Sequence, residues 1–123
     1  MQIAIGLYPG LTVLDAIGPY QVLTQAGDEV VVCAERTGRL TDDNGLLTFD
    51  IEHTFADVPR PDLLLVPGGF ITRKLARDRD PIVDWIAAAI AWMRDRGFEA
   101  LEAQKGHEAK RVVHVNAITP TTL

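Results

Sequence analysis

The sequence predicts an α/β fold in which a parallel sheet carries helices on both faces. Three observations lead there. Short β-branched or apolar runs at Gln2 to Leu7, Glu29 to Ala34, Asp62 to Val66 and Arg111 to Ile118 alternate with helical stretches. The composition is that of an ordinary globular chain, 47% hydrophobic and 24% charged. A length of 123 residues makes a single domain, 1–123, with about two-thirds of its unfolded surface available for burial.

Taken in order, Gln2 to Leu7 reads as a buried strand that Tyr8-Pro9-Gly10 ends. Thr12 and Asp15 stand three apart, a capping-box-like pair opening a helix to about Ala26. Pro19 lies inside that helix and predicts a kink. Gly27-Asp28 ends it, and Glu29 to Ala34 is the second strand. Leu40-Thr41 and Leu46 to Ile51 flank Asp42-Asp43-Asn44-Gly45 as a hairpin, because Asn and Gly both tolerate positive φ. Pro59-Arg60-Pro61 is a stiff connector into the strand Asp62 to Val66, which runs into Pro67-Gly68-Gly69. Phe70 to Arg79 reads as a short helix. Asp80 as N-cap and Pro81 at the first helical position open the next. Val83, Ile86, Ile90 and Met93 recur at helical spacing, to a stop near Arg96 or at Lys105-Gly106.

Charge and cysteine count remove several function classes. The formal net charge is −5, with 12 basic and 17 acidic side chains. That argues against nucleic acid and against an acidic membrane surface as partners. One cysteine excludes an intramolecular disulfide and a multi-cysteine metal cluster. No signal-peptide pattern opens the chain, and the longest apolar run, Trp85 to Met93, is about half a membrane span, so a soluble cytoplasmic protein is expected. His107-Glu108 does not continue into His-Glu-x-x-His, and no metal or cofactor is expected.

Ligands of open parallel sheets bind at the carboxyl ends of the strands. Here those ends carry Tyr8-Pro9-Gly10, Pro67-Gly68-Gly69 and Asn116-Ala117. Asp15 reads either as a capping carboxylate or as an acid that gives or takes a proton. Gly68 and Gly69 read either as a tight turn needing positive φ or as amides offered to an anion or a developing oxyanion. Cys33, inside a Val-rich strand, reads as an inert core thiol. Trp85, Ile86, Ala89, Ile90 and Met93 form a packing stripe, with a partner face as the other reading.

Together these segments resemble a known pattern. Val13-Leu14-Asp15-Ala16-Ile17-Gly18-Pro19-Tyr20-Gln21-Val22-Leu23 is similar to the "Leu-Asp-x-x-Gly-Pro-Tyr-x-Val" helix of the DJ-1/PfpI (ThiJ) superfamily. Within it, the sequence resembles the branch of the isonitrile hydratases and related amidotransferase-like regulators. Leu63 to Gly69 resembles the family's strand and Gly-Gly turn, and Asp80 to Ile86 its next helix start. Thr41 to Gly45 and Phe55 to Pro59 fit between them. The resemblance covers about residues 2–90, and 91–123 diverge.

The resemblance implies a flavodoxin-like parallel-sheet sandwich with a small hairpin, shortened at its C-terminal end. A sheet that ends early leaves an apolar face and an edge strand uncovered, so a homodimer or larger assembly is expected, with the 85–104 helix at the contact. The resemblance also implies a class I glutamine amidotransferase-like chemistry in which a cysteine sits on a strand-to-helix elbow of the type Val-Cys-Thr-Gly. In the hydratase branch the thiolate attacks the isonitrile carbon, the acid protonates it, and water releases an N-substituted formamide. By position Asp15 is then the acid, and Gly68 and Gly69 lie at the oxyanion site. The elbow cysteine has no counterpart: if Val112 to Ala117 is the equivalent strand, Asn116 stands in its place. Asparagine supplies no thiolate, so the expectation is a small-molecule site with little or no hydratase activity. The alternatives are a non-catalytic binding or dimerisation domain and a truncated family member.

Overall fold

The structure is a computed structural model and describes residues 1–26, 29–95 and 113–115, the last three as backbone. In chain order the elements are β1 (Gln2–Gly6), α1 (Val13–Thr24), β2 (Glu29–Ala34), β3 (Gly38–Thr41), β4 (Thr48–Ile51), β5 (His53–Thr54), β6 (Leu63–Val66), α2 (Thr72–Arg77), α3 (Pro81–Asp95) and β7 (Val113–Val115). A single 3-10 turn at Phe55–Asp57 precedes β6.

The main sheet runs β5-β2-β1-β6-β7 and every pairing is parallel. β1 is central, and Ile3, Ala4 and Ile5 are each at most 1% exposed, as a parallel strand covered on both faces requires. Ile5 and Val32 line one groove with Ala16, Ile17 and Tyr20 of α1. Gly6, the next residue along β1, faces Trp85 of α3 instead. Successive strand residues point to opposite faces, so α1 and α3 lie on opposite sides of the sheet. This is the flavodoxin-like α/β architecture.

β3 and β4 form their own antiparallel pair, with Leu40 opposite Phe49 and Thr41 opposite Thr48. The second hairpin strand starts at Thr48, not Leu46. Gly45 takes the positive φ expected of it, 71°, but Asn44 does not. The connection is built by Asp42, whose Oδ1 accepts the amides of Leu46 (3.0 Å) and Leu47 (3.1 Å). Burial alone would push this carboxyl up; the amides of Leu47, Leu46, Asn44 and Gly45 outweigh it and hold the carboxyl below its usual range.

α3 starts as its sequence predicts: Pro81 is its first residue, and Oδ1 of Asp80 accepts the Ile82 amide at 3.0 Å. Its buried residues are Ile82, Trp85, Ile86, Ala89 and Met93, so the stripe packs on its own sheet. The expected ends of this helix at Arg96 or at Lys105-Gly106, and of α1 at Gly27-Asp28, lie outside the described residues. α1 runs through Pro19 as one element. No helix among the described residues is long and apolar enough to cross a membrane.

Candidate functional site

The strand order reverses between β1 and β6, the position at which doubly wound sheets open a crevice. Two loops meet there. After β1 the chain passes through Tyr8 to Thr12 into α1; after β6 it passes through Pro67-Gly68-Gly69 toward α2.

The glycine turn is anchored through three successive carbonyls. Tyr8 donates its hydroxyl to the Pro67 carbonyl at 2.8 Å. The Thr12 amide donates to the Gly68 carbonyl at 2.9 Å, and the Thr72 amide to that of Gly69 at 3.4 Å. There is no cis peptide bond. In a trans peptide the N–H points opposite to the C=O of the same unit. The amides of Gly68, Gly69 and Phe70 are therefore each turned away from the group that holds the preceding carbonyl. Backbone N–H groups held in place are what an anion or a developing oxyanion would need.

Positive φ does not explain the second glycine. Gly10, Gly38 and Gly45 have it; Gly69 does not. A β-carbon on Gly69 would lie 2.6 Å from the Tyr8 hydroxyl and 3.3 Å from the Gly10 carbonyl oxygen. Gly69 is required because the Tyr8 phenol passes underneath it.

Asp15 sits half-buried in the first turn of α1. The capping box that the Thr12–Asp15 spacing predicts does not form. Thr12 is the N-cap residue but its side chain caps nothing. Its hydroxyl donates to Oδ2 of Asp43 at 3.2 Å, and its amide goes to Gly68. A charged acceptor delivered by the hairpin outcompetes the helix's own first turn. Asp15, in the first turn of α1, is near enough for its charge to be felt at Tyr8. Burial first, then the negative charges of Asp15 and Asp43, push the Tyr8 phenol well above its ordinary value. Tyr8 is therefore a neutral, fixed donor.

The hairpin contributes to the same edge. The Gly10 amide donates to the Thr41 carbonyl (2.9 Å), and the Asp43 amide to the Leu11 carbonyl (3.0 Å). Hydrogen bonds thus tie the Gly68-Gly69 turn to Tyr8 and Thr12, and Thr12 to Asp43, while Asp15 is linked to them through its charge at Tyr8. Thr12 and Asp43 carry no site role in the sequence, where Tyr8 stands only among the residues at a strand end. Tyr8 carried one signal: an aromatic with a hydroxyl at the carboxyl end of a buried strand. Asn116 lies outside the described residues; β7 is described to Val115, the register partner of Val66.

Cys33 is far from thiolate chemistry. It is fully buried near the end of β2, and its Sγ–H points to the Ile5 carbonyl at 3.8 Å. Burial, with a smaller contribution from the Asp57 charge, pushes its thiol up to about 12. Among the described residues no group of His, Cys, Asp and Glu is placed to hold a metal ion.

No family model matches the chain, and no curated protein matches it. Solved structures do. A two-domain protein from Anabaena variabilis, with DJ-1/ThiJ/PfpI-like and ferritin-like domains, aligns with a TM-score of 0.62 at 24% identity over 80% of this chain and 28% of that one. A ThiJ/PfpI family protein from Pseudomonas syringae is 32% identical over 78% of this chain and 37% of that one, with a TM-score of 0.57. Oxidised DJ-1 from Toxoplasma gondii is 16% identical with a TM-score of 0.62, over 93% of this chain and 81% of that one. The chain thus spans well under half the length of the first two. With a parallel sheet of matching architecture and these neighbours, the chain has the DJ-1/ThiJ/PfpI fold and is similar in sequence to a protein of that superfamily.

Proposed function

We propose that this domain binds a small molecule with a polar, carbonyl-like head between Asp15 and the Gly68-Gly69 turn, in the manner of the isonitrile hydratases, and turns isonitriles over slowly or not at all. The observation that carries the reading is the state of the only cysteine in the sequence. Covalent hydration needs a thiolate beside the acid, and Cys33 is a buried neutral thiol on β2. The binding half of the reading is supported by the anchored glycine turn and by the charge of Asp15 that reaches Tyr8, the residue holding that turn. If hydration occurs, R–N≡C and water give R–NH–CHO, with Asp15 as the proton donor to carbon.

The test is a steady-state assay with cyclohexyl isonitrile, following formation of N-cyclohexylformamide, alongside titration of that formamide into the labelled protein. Binding of the formamide with negligible turnover is expected. Turnover at an ordinary enzymatic rate that survives Cys33→Ala overturns the inactive reading.

The homodimer belongs to the same proposal, as does a cytoplasmic location. α3 uses its apolar stripe internally, whereas α1 leaves Leu14 (74% exposed) and Val22 (69%) in solvent. The exposure of Leu14 and Val22 favours a dimer through α1; of the 85–104 contact expected from the sequence, 96–104 lie outside the described residues.

A further inference from the structure

We infer that Tyr8 is a positioning residue of this site: its hydroxyl fixes the orientation of the Pro67–Gly68 peptide, and so aims the Gly68 amide. The inference rests on the reading of the glycine turn as the ligand's donor set. Three observations carry it. The phenol is 2% exposed, so no water competes for the Pro67 carbonyl. The bond to that carbonyl is 2.8 Å and joins residues 59 apart, so it ties the end of β6 to the loop after β1. Gly69 has no room for a side chain because that hydroxyl occupies the space.

A peptide flanked by glycine has a broad choice of conformations. The carbonyl of Pro67 is the part of this unit that the protein grips, and the grip is one hydroxyl. Without it the peptide is free to rotate, and the Gly68 N–H then points elsewhere. The raised phenol adds to this: the donor proton stays in place across the whole range in which a protein works.

The experiment compares the unmodified chain with Tyr8→Phe and, separately, Gly69→Ala. Tyr8→Phe keeps the ring and removes the grip. Gly69→Ala keeps the hydroxyl and pushes it off the Pro67 carbonyl. Backbone amide spectra of the nitrogen-labelled proteins are read first. The Gly68 and Gly69 resonances should shift or double in both variants, while those of β1 and β6 stay in place. N-cyclohexylformamide is then titrated, and its Kd should rise about five- to ten-fold in each variant, the ordinary worth of one hydrogen bond. The double variant should lose no more than either single one, because both break the same contact.

A packing role alone predicts a lower Tm with both glycine resonances and the Kd unchanged, and that result overturns the proposal. Failure of the unmodified chain to bind the formamide would sink the proposed function instead. The glycine resonances of the two variants would still decide the role of Tyr8. Should one variant fail to fold, the other alone gives the readout.

Discussion

The α-carbon of Gly6 faces the indole of Trp85 so closely that a β-carbon there would overlap the six-membered ring. The indole is itself fixed twice. It stacks on Phe55 with centroids 4.5 Å apart and planes 13° from parallel, and its N–H donates to the Val58 carbonyl at 2.9 Å. The contact therefore joins β1, the 3-10 turn and α3 in one place. Gly6→Ala should destabilise the fold by about 1–3 kcal/mol, because an overpacked core must shift. Trp85→Ala should cost about 3–5 kcal/mol. Urea midpoints at constant slope check both, and the pair should be far from additive.

Acid should weaken the fold through two turns. Asp42 is held below its usual range as described above. Asp57 is lowered chiefly by the Thr54 amide, then by the Thr54 hydroxyl and the nearby His53. A carboxylate with a depressed folded value contributes stability above the unfolded value of about 3.9. That contribution disappears as pH falls through the folded value. Stability should be flat near neutrality and decline below about pH 4, and Asp42→Asn should reduce the decline. Denaturant midpoints from pH 7 to pH 3 read it directly.

Cys33 should resist alkylation. With its thiol pushed up to about 12, the thiolate fraction at pH 8 is on the order of one in ten thousand, against roughly a quarter for an ordinary thiol. Iodoacetamide should leave the folded protein unlabelled over hours and label it at once in denaturant. Mass spectrometry distinguishes the two. Fast labelling of the native chain would remove the main support for low turnover.

Self-association should depend on α1. Leu14→Glu and Val22→Glu place charges on its exposed apolar side while leaving the buried Ala16 face intact. Light scattering at micromolar concentration should give a dimer for the unmodified chain and a monomer for the double variant. A monomer for both would end the homodimer proposal.

Two four-residue segments show what the sequence can and cannot say. Thr12-Val13-Leu14-Asp15 and Thr54-Phe55-Ala56-Asp57 have the same Thr-x-x-Asp pattern. Only the second closes into a capping box. The difference lies 31 residues away, where Asp43 takes the Thr12 hydroxyl, and no local pattern contains that. Elements decided locally are legible: β2 is found at its predicted bounds, and the Asp80-Pro81 helix start forms as written. Asn44-Gly45 was legible as a turn but not as this turn, because the geometry belongs to Asp42. In the site, Asp15 and the glycines carry recognisable motifs, whereas Tyr8 shows only its place at the end of a strand, and its grip on Pro67, 59 residues away, is visible only in space.

The hairpin grips the loop after β1, and this bears on the order in which the molecule folds. The site's ties join Thr12 to Asp43 and Tyr8 to Pro67, 31 and 59 residues apart. They have no geometry until β1 has found β2 and β6, and pairings of such separation are slow. This edge should therefore mature after the sheet and be the first part to open when stability is lowered. Native-state hydrogen exchange should find the amides of Gly10, Thr12 and Asp43 opening together, below the free energy that unfolds β1. A ligand that holds this edge closed would then act as a late-stage folding clamp.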